Sequence, residues 1–259
     1  MERILYTGAA SGIAKEVIEK IKHKYYIYVG VHNEKQLELT KEKYKTEKNI
    51  EVLKLDITNK KDLEQIKNIN IDILICNVAI GYGGSICEID INKVRENFEV
   101  NVFSNFKLVQ IVLKNMFKKD SGKIIMVSSL AGIMPIKFLG VYSATKASIN
   151  KLTQSLNKEL KLLTKNIKIS LVEAGMYKTG FNQVMLENKY EWMQKESYFK
   201  QELELIRKKE NIFWNLFEKK KMNSIVRQII KSIENDNKFI YSAPISQRII
   251  AKIYSLIKD

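Results

Sequence analysis

Two short runs of this chain are apolar almost without a break: Asp72-Ile-Leu-Ile-Cys76-Asn77 and Lys123-Ile-Ile-Met-Val-Ser-Ser129. Runs of this length without alternation read as strands covered on both faces, which is the condition of the interior of a parallel sheet. Parallel neighbours need long crossovers, and the intervening stretches supply them with apolar residues at helical spacing. Ile13, Val17, Ile18 and Ile21 form one such set, and Ile149, Leu152, Leu156, Leu160 and Leu163 form another. Strand and helix alternating in this way predict an α/β fold, a doubly wound parallel sheet. No Pro, Gly or Ser-rich linker divides the 259 residues, and 45% hydrophobic content is ample for a core. A single domain spanning 1–259 is therefore expected.

Composition removes several classes of function. The formal charge is +15, but only Arg3, Arg95, Arg207, Arg227 and Arg248 among the 44 basic residues are arginines. The rest are lysines spread over the whole length, without the arginine–aromatic clusters that read nucleic acid. No nucleic-acid partner is expected, and the basic surface is read as a field that attracts small anions. Cys76 and Cys87 have no CxxC partner, and His23 and His32 stand alone, so neither a disulfide framework nor a metal site is indicated. The apolar runs are too short to span a bilayer, so no stable membrane insertion is expected. The start MERILYTG enters a strand almost at once, which leaves no room for a signal peptide and makes the cytoplasm the expected location.

The first strand, Ile4 to Thr7, runs into Gly8-Ala-Ala-Ser11-Gly12-Ile13-Ala14 and then into a helix. Strand, glycine turn and helix start together bring backbone amides close to a pyrophosphate. The second strand, Tyr26 to Val31, ends at His32-Asn33-Glu34, where a carboxylate would bond a ribose 2′-hydroxyl and repel a 2′-phosphate. Val31 and His32 offer none, and Glu34 opens a helix. The third strand closes on Asp56, which can also serve as a helix cap in competition with Thr58 or Asn59. The fourth ends in Asn77-Val-Ala79.

Ser129 ends the fifth strand, and thirteen residues later come Tyr142 and, one helical turn on, Lys146. At that spacing tyrosine and lysine project from one helix face. A phenol with an unperturbed pKa near ~10 is a poor acid at neutral pH. A neighbouring ammonium is expected to lower it. A serine hydroxyl can then hold an oxygen whose charge changes during reaction.

With these four motifs in order, the stretch from about Arg3 to Thr179 resembles the short-chain dehydrogenase/reductase family. The resemblance implies a catalytic tetrad of Asn101, Ser129, Tyr142 and Lys146. Asn101 lies in Phe98-Glu-Val-Asn-Val, within a helix expected from about Val94 to Phe117, and is implied to hold a bulge there and to support proton relay. Also implied is an NAD(P) site made by Gly8, Ser11, Gly12, Ile13, His32, Asp56 at the adenine, Asn77, Ala79, Tyr142, Lys146, Gly175 and Thr179. Three motifs depart from the family pattern, with Ala14 and Ala174 in place of glycine and proline, and Cys76 and Ala79 departing from an Asn-Asn-Ala-Gly motif that Asn77 matches in register. The implied activity is hydride transfer between nicotinamide and a small-molecule carbonyl or secondary alcohol, of apolar or acyl type. The alternative is a catalytically weak NAD(P)-binding regulator. Because the second strand ends without a carboxylate, NADP(H) is expected to be weakly preferred over NAD(H).

Beyond Gly180 the likeness thins. Residues 180–222 mix aromatics with charges and read either as a helical lid over the substrate or as a second helical layer on the sheet. Ile249, Ile250, Ile253, Leu256 and Ile257 give the tail one apolar face beside Lys252 and Lys258. A basic amphipathic helix can lie on a membrane, but docking of that face onto the domain or a sister subunit is the expectation. In the family the two long helices commonly make subunit contacts, which implies a homodimer or homotetramer.

Overall fold

The computed structural model describes residues 1–10 and 12–256, so Ser11, Ile257 and Lys258 of the sequence reading lie outside the described residues. Seven strands form one sheet: β1 (Arg3–Tyr6), β2 (Tyr26–Val31), β3 (Ile50–Lys54), β4 (Ile73–Cys76), β5 (Gly122–Ser129), β6 (Ile167–Ala174) and β7 (Ile240–Ala243). Their order is β3-β2-β1-β4-β5-β6-β7, and every neighbouring pair is parallel.

The unbroken apolar runs have a direct cause in this arrangement. Ile4, Tyr6, Ile73, Ile75 and Ile125 enter the core on one face, and Leu5, Leu74, Cys76, Ile124 and Met126 enter the core on the other. Helices α1 (Gly12–Ile21), α2 (Glu34–Lys43) and α3 (Lys60–Ile66) belong to the first three crossovers. Asn33 caps α2 and Asn59 caps α3, each side chain accepting a backbone N–H of the first turn. Asn59 thus takes the cap, and Asp56 turns instead to Thr58, accepting from its N–H at 2.9 Å and its hydroxyl at 2.7 Å.

The helix expected from Val94 to Phe117 is three pieces: α4 (Ile91–Phe98), a π-helical turn over Glu99–Ser104, and α5 (Asn105–Lys119). α6 (Gly140–Leu163) carries Tyr142 in its first turn. The stretch expected as a lid folds into α7 (Phe181–Glu196) and α8 (Leu203–Phe217), and α9 (Asn223–Glu234) returns to the sheet with Ile225, Val226, Ile229 and Ile233 buried. α10 (Ile245–Leu256) follows β7. Among the described residues no helix is long and apolar enough to cross a membrane.

Candidate active site

Strand order reverses between β1 and β4, because β1 leads outward to β2 and β3 while β4 leads the other way. Loops leaving such a switch point diverge and open a crevice at the carboxyl ends of the strands. Here that crevice is a cavity of about 1480 Å³. Gly8, Gly12, Ile13, His32, Asp56, Asn77, Ala79, Ser129, Tyr142, Lys146, Gly175 and Thr179 all line it. Asn101 does not.

At the β1 end, Gly8 has φ +61° and Gly12 φ +56°, a conformation that L side chains rarely adopt. A Cβ on Gly8 would stand 3.2 Å from the Val78 backbone, and one on Gly12 would stand 3.1 Å from Thr179 Cβ. The glycines therefore keep a cradle open at the start of α1, where the unpaired amides of the first helical turn are available to an anion. Asn77 stiffens this floor, its side chain donating to the carbonyls of Thr7 at 3.3 Å and Gly8 at 3.2 Å. Ala14 is fully buried where α1 meets the sheet, so the family's third glycine position is filled by a methyl group without opening the packing. This cradle fits a dinucleotide's phosphates. Further along, Leu55, Asp56, Ile57 and Thr58 form a wall of the cavity, and the His32 side chain lies mostly in solvent with Nδ1 3.9 Å from Asp56 Oδ2.

On the other side of the switch point, Ser129 Oγ accepts the Ala131 N–H at 3.1 Å. That leaves its own hydrogen to donate. Tyr142 and Lys146 are both buried, Lys146 Nζ donating to the Val127 carbonyl at 3.3 Å and standing 5.7 Å from the Tyr142 ring centroid. Burial pushes the Tyr142 phenol up to about 12, and the nearby Ser129 hydroxyl offsets this only in part. Burial brings the Lys146 ammonium down to about 8. Desolvation is the largest influence on this phenol, so its pKa lies above the usual value rather than below it, contrary to the expectation from the neighbouring lysine.

Asn101 sits in the π-helical turn, fully buried. Its side chain accepts the Ile80 N–H at 2.8 Å and donates to the Ile80 carbonyl at 2.8 Å and the Thr145 hydroxyl at 3.0 Å. Thr145 in turn donates to the Tyr142 carbonyl at 2.8 Å. The extra residue of a π turn is what aims this amide inward. Asn101 therefore ties the loop after β4 to the helix of Tyr142, rather than forming part of the cavity wall.

Gly175 lies where β6 leaves the sheet, its N–H donating to the Ala243 carbonyl at 2.8 Å, and a Cβ there would collide with Gln247 Oε1 at 2.3 Å. Packing against α10 thus accounts for this glycine as fully as a ligand would. Thr179 is held by its N–H to the Tyr177 carbonyl at 2.9 Å, and the loop is pinned by Lys178 and Lys219 bonding across an isolated bridge. Phe181, the first residue of α7, packs on the Tyr142 ring at 5.6 Å between centroids.

Sequence reasoning missed several cavity residues. Gln36 faces the cavity beside His32 and accepts its N–H at 3.0 Å. Glu210, Gln247, Ile250 and Tyr254 come from α8 and α10. No motif marks them; helical spacing from His32 could have flagged Gln36, and the others are brought in only by tertiary packing. Glu210 is bonded to both the fully buried Lys189 ammonium and the Tyr190 hydroxyl.

A family model described as short chain dehydrogenase matches residues 2–190. The NADPH-dependent 3-dehydrocapnine reductase of Ornithobacterium rhinotracheale is 30% identical over 192 residues, covering 69% of this chain and 66% of the relative. A 3-ketodihydrosphingosine reductase of Bacteroides thetaiotaomicron is 30% identical over 184 residues, covering 69% and 65% respectively. The match thus spans slightly under two thirds of the length of these relatives. Among solved structures, a short chain dehydrogenase/reductase from Burkholderia phymatum in complex with NAD superposes with a TM-score of 0.79 at 17% identity, covering 97% of this chain and 92% of the other. The strand order, the glycine cradle at the switch point, and the serine, tyrosine and lysine on the facing wall, together with the match over residues 2–190, show that this chain belongs to the short-chain dehydrogenase family.

Proposed function

We propose that the chain is an NAD(P)-dependent oxidoreductase that interconverts a ketone and a secondary alcohol on an apolar, acyl-type substrate. The observation that carries this reading is the convergence of Ser129, Tyr142 and Lys146 on one wall of a cavity whose opposite end is a phosphate cradle. A nicotinamide held in this cavity would supply the hydride for the carbonyl carbon. Gly8, Gly12 and Ile13 would hold its pyrophosphate, Asp56 the adenine side, Asn77 and Ala79 the ribose side, and Gly175 and Thr179 the nicotinamide end.

The residues of the chain then handle the oxygen and its proton. Ser129, whose Oγ accepts the Ala131 N–H and keeps its own hydrogen, donates to the carbonyl oxygen. Tyr142 gives that oxygen its proton, and the phenolate left behind is stabilised by the Lys146 ammonium on the same helix face. Lys146, brought down to about 8, can exchange protons close to neutrality, whereas the phenol at about 12 holds its proton until the reaction needs it. Asn101 acts as a positioning residue, through Ile80 and Thr145.

An apolar substrate is supported by Met134, Ile136, Leu139, Val184, Met185 and Trp214 on the substrate side of the cavity. The names of the two reductases above point the same way. For the coenzyme we infer a weak preference for NADPH, because β2 ends without a carboxylate, the His32 side chain is exposed, and the chain's charge of +15 favours the more anionic ligand. Purified protein mixed with each reduced nicotinamide and a series of alkyl ketones tests both points optically. Oxidation of NADPH that quickens with alkyl length is expected. Cofactor binding without turnover of any member, ketone or alcohol, would favour a regulatory protein.

A further inference from the structure

α10 is held to the domain by its polar side chains. Its buried residues are Gln247 and Ala251. Gln247 accepts the Met176 N–H at 2.8 Å and donates to the Phe217 carbonyl at 2.6 Å, while Arg248 donates to the buried Glu173 at 2.6 Å. The helix's large apolar residues are left outside, with Ile245, Ile249, Ile253 and Leu256 all exposed. α8 repeats the pattern. Leu203 is its one buried residue, and Leu205, Ile212 and Leu216 face outward, Leu216 at 71% exposure.

The bond from Gln247 to Phe217 joins the end of α8 to the start of α10, and both helices contribute side chains to the cavity. Phe213, Ile250 and Tyr254 line the cavity and are also exposed, so the apolar interior of the site continues into an apolar rim on the surface. Single exposed leucines are ordinary, but a patch built by two adjoining helices at a cavity marks an interaction surface.

Charge identifies the occupant. Lys208, Lys209, Lys219, Lys220, Lys221 and Lys252 on or beside these helices are exposed, and none is in an ion pair among the described residues. A second copy docked face to face would set these lysines against their own kind, in a chain already at +15. An anionic lipid surface offers apolar depth for the helix faces and negative headgroups for the lysines. We propose that the α8–α10 rim docks peripherally on an anionic phospholipid bilayer, with the cavity open toward the acyl chains.

Sedimentation with vesicles tests this, using phosphatidylcholine alone and phosphatidylcholine mixed with phosphatidylglycerol. Binding to the mixed vesicles is expected, weakened by salt, and reduced at least about tenfold when Ile249→Ser and Ile253→Ser are combined. Neither residue lines the cavity, so turnover of a short soluble ketone should be unchanged in that variant. Brominated phosphatidylglycerol should also quench tryptophan emission in the unmodified protein, since Trp214 lies on α8. The proposal is overturned by no binding, by binding that the double variant retains in full, by binding without quenching, or by light scattering that shows the rim joining two copies in the absence of lipid.

Discussion

Burial drives the two central ionisable groups in opposite directions, Tyr142 up to about 12 and Lys146 down to about 8. Replacing Tyr142 by Phe removes the proton donor while keeping the ring that packs on Phe181. Turnover should fall by about 10² to 10⁴ with unchanged circular dichroism. Near-normal turnover in the folded variant would reject the mechanism. Lys146 makes a second prediction, through linkage. Its folded value lies below the unfolded one near 10.5, so between about 8 and 10.5 the unfolded chain binds more protons and stability rises with pH. Lys146→Met abolishes this component, so urea unfolding should show the unmodified protein gaining on the variant across that window, by on the order of 3 kcal/mol. A constant difference between the two would show that Lys146 is not desolvated in the folded protein.

Between elements, Lys189 on α7 pairs with Glu210 on α8. The ammonium is fully buried, against the rings of Phe138 and Tyr190, while the carboxylate reaches the cavity edge. The two halves are therefore unequal. Glu210→Ala strands a buried charge and should cost about 3–5 kcal/mol. Lys189→Met puts an apolar chain of similar length among rings, leaves Glu210 partly solvated, and should cost clearly less. Urea midpoints of the two variants decide this, and equal losses would mean that the pair is as wet at one end as at the other. The π-helical turn works at the same scale, since one added residue lets Asn101 bond both the N–H and the carbonyl of Ile80.

For the whole molecule, α5 and α6 leave Phe117, Leu152, Leu162 and Leu163 exposed on long helices beside the sheet. A homodimer or homotetramer that covers them is the expected assembly, with the α8–α10 rim remaining free. Light scattering at micromolar concentration should give a multiple of 30.1 kDa. A monomer would leave these residues unexplained and remove the assembly.

The sequence by itself determined the sheet, the cradle and the catalytic triplet of the proposal. Ile73–Cys76 and β5 are apolar on both faces, which only the interior of a parallel sheet satisfies, and Tyr142 and Lys146 are fixed to one face by helix geometry. These are properties of neighbours along the chain, and short-range geometry is written in spacing. Tertiary structure alone decided the rest. Gln247 reaches Gly175 from more than seventy residues away, and Glu210 reaches the cavity because α8 folds back over α7. The tail's apolar face, expected to dock, points outward because Gln247 and Arg248 found polar partners on β6 and its loop. Tyr142 is harder to ionise than its neighbour suggested, because desolvation depends on everything packed around a group and not on the residue four places along.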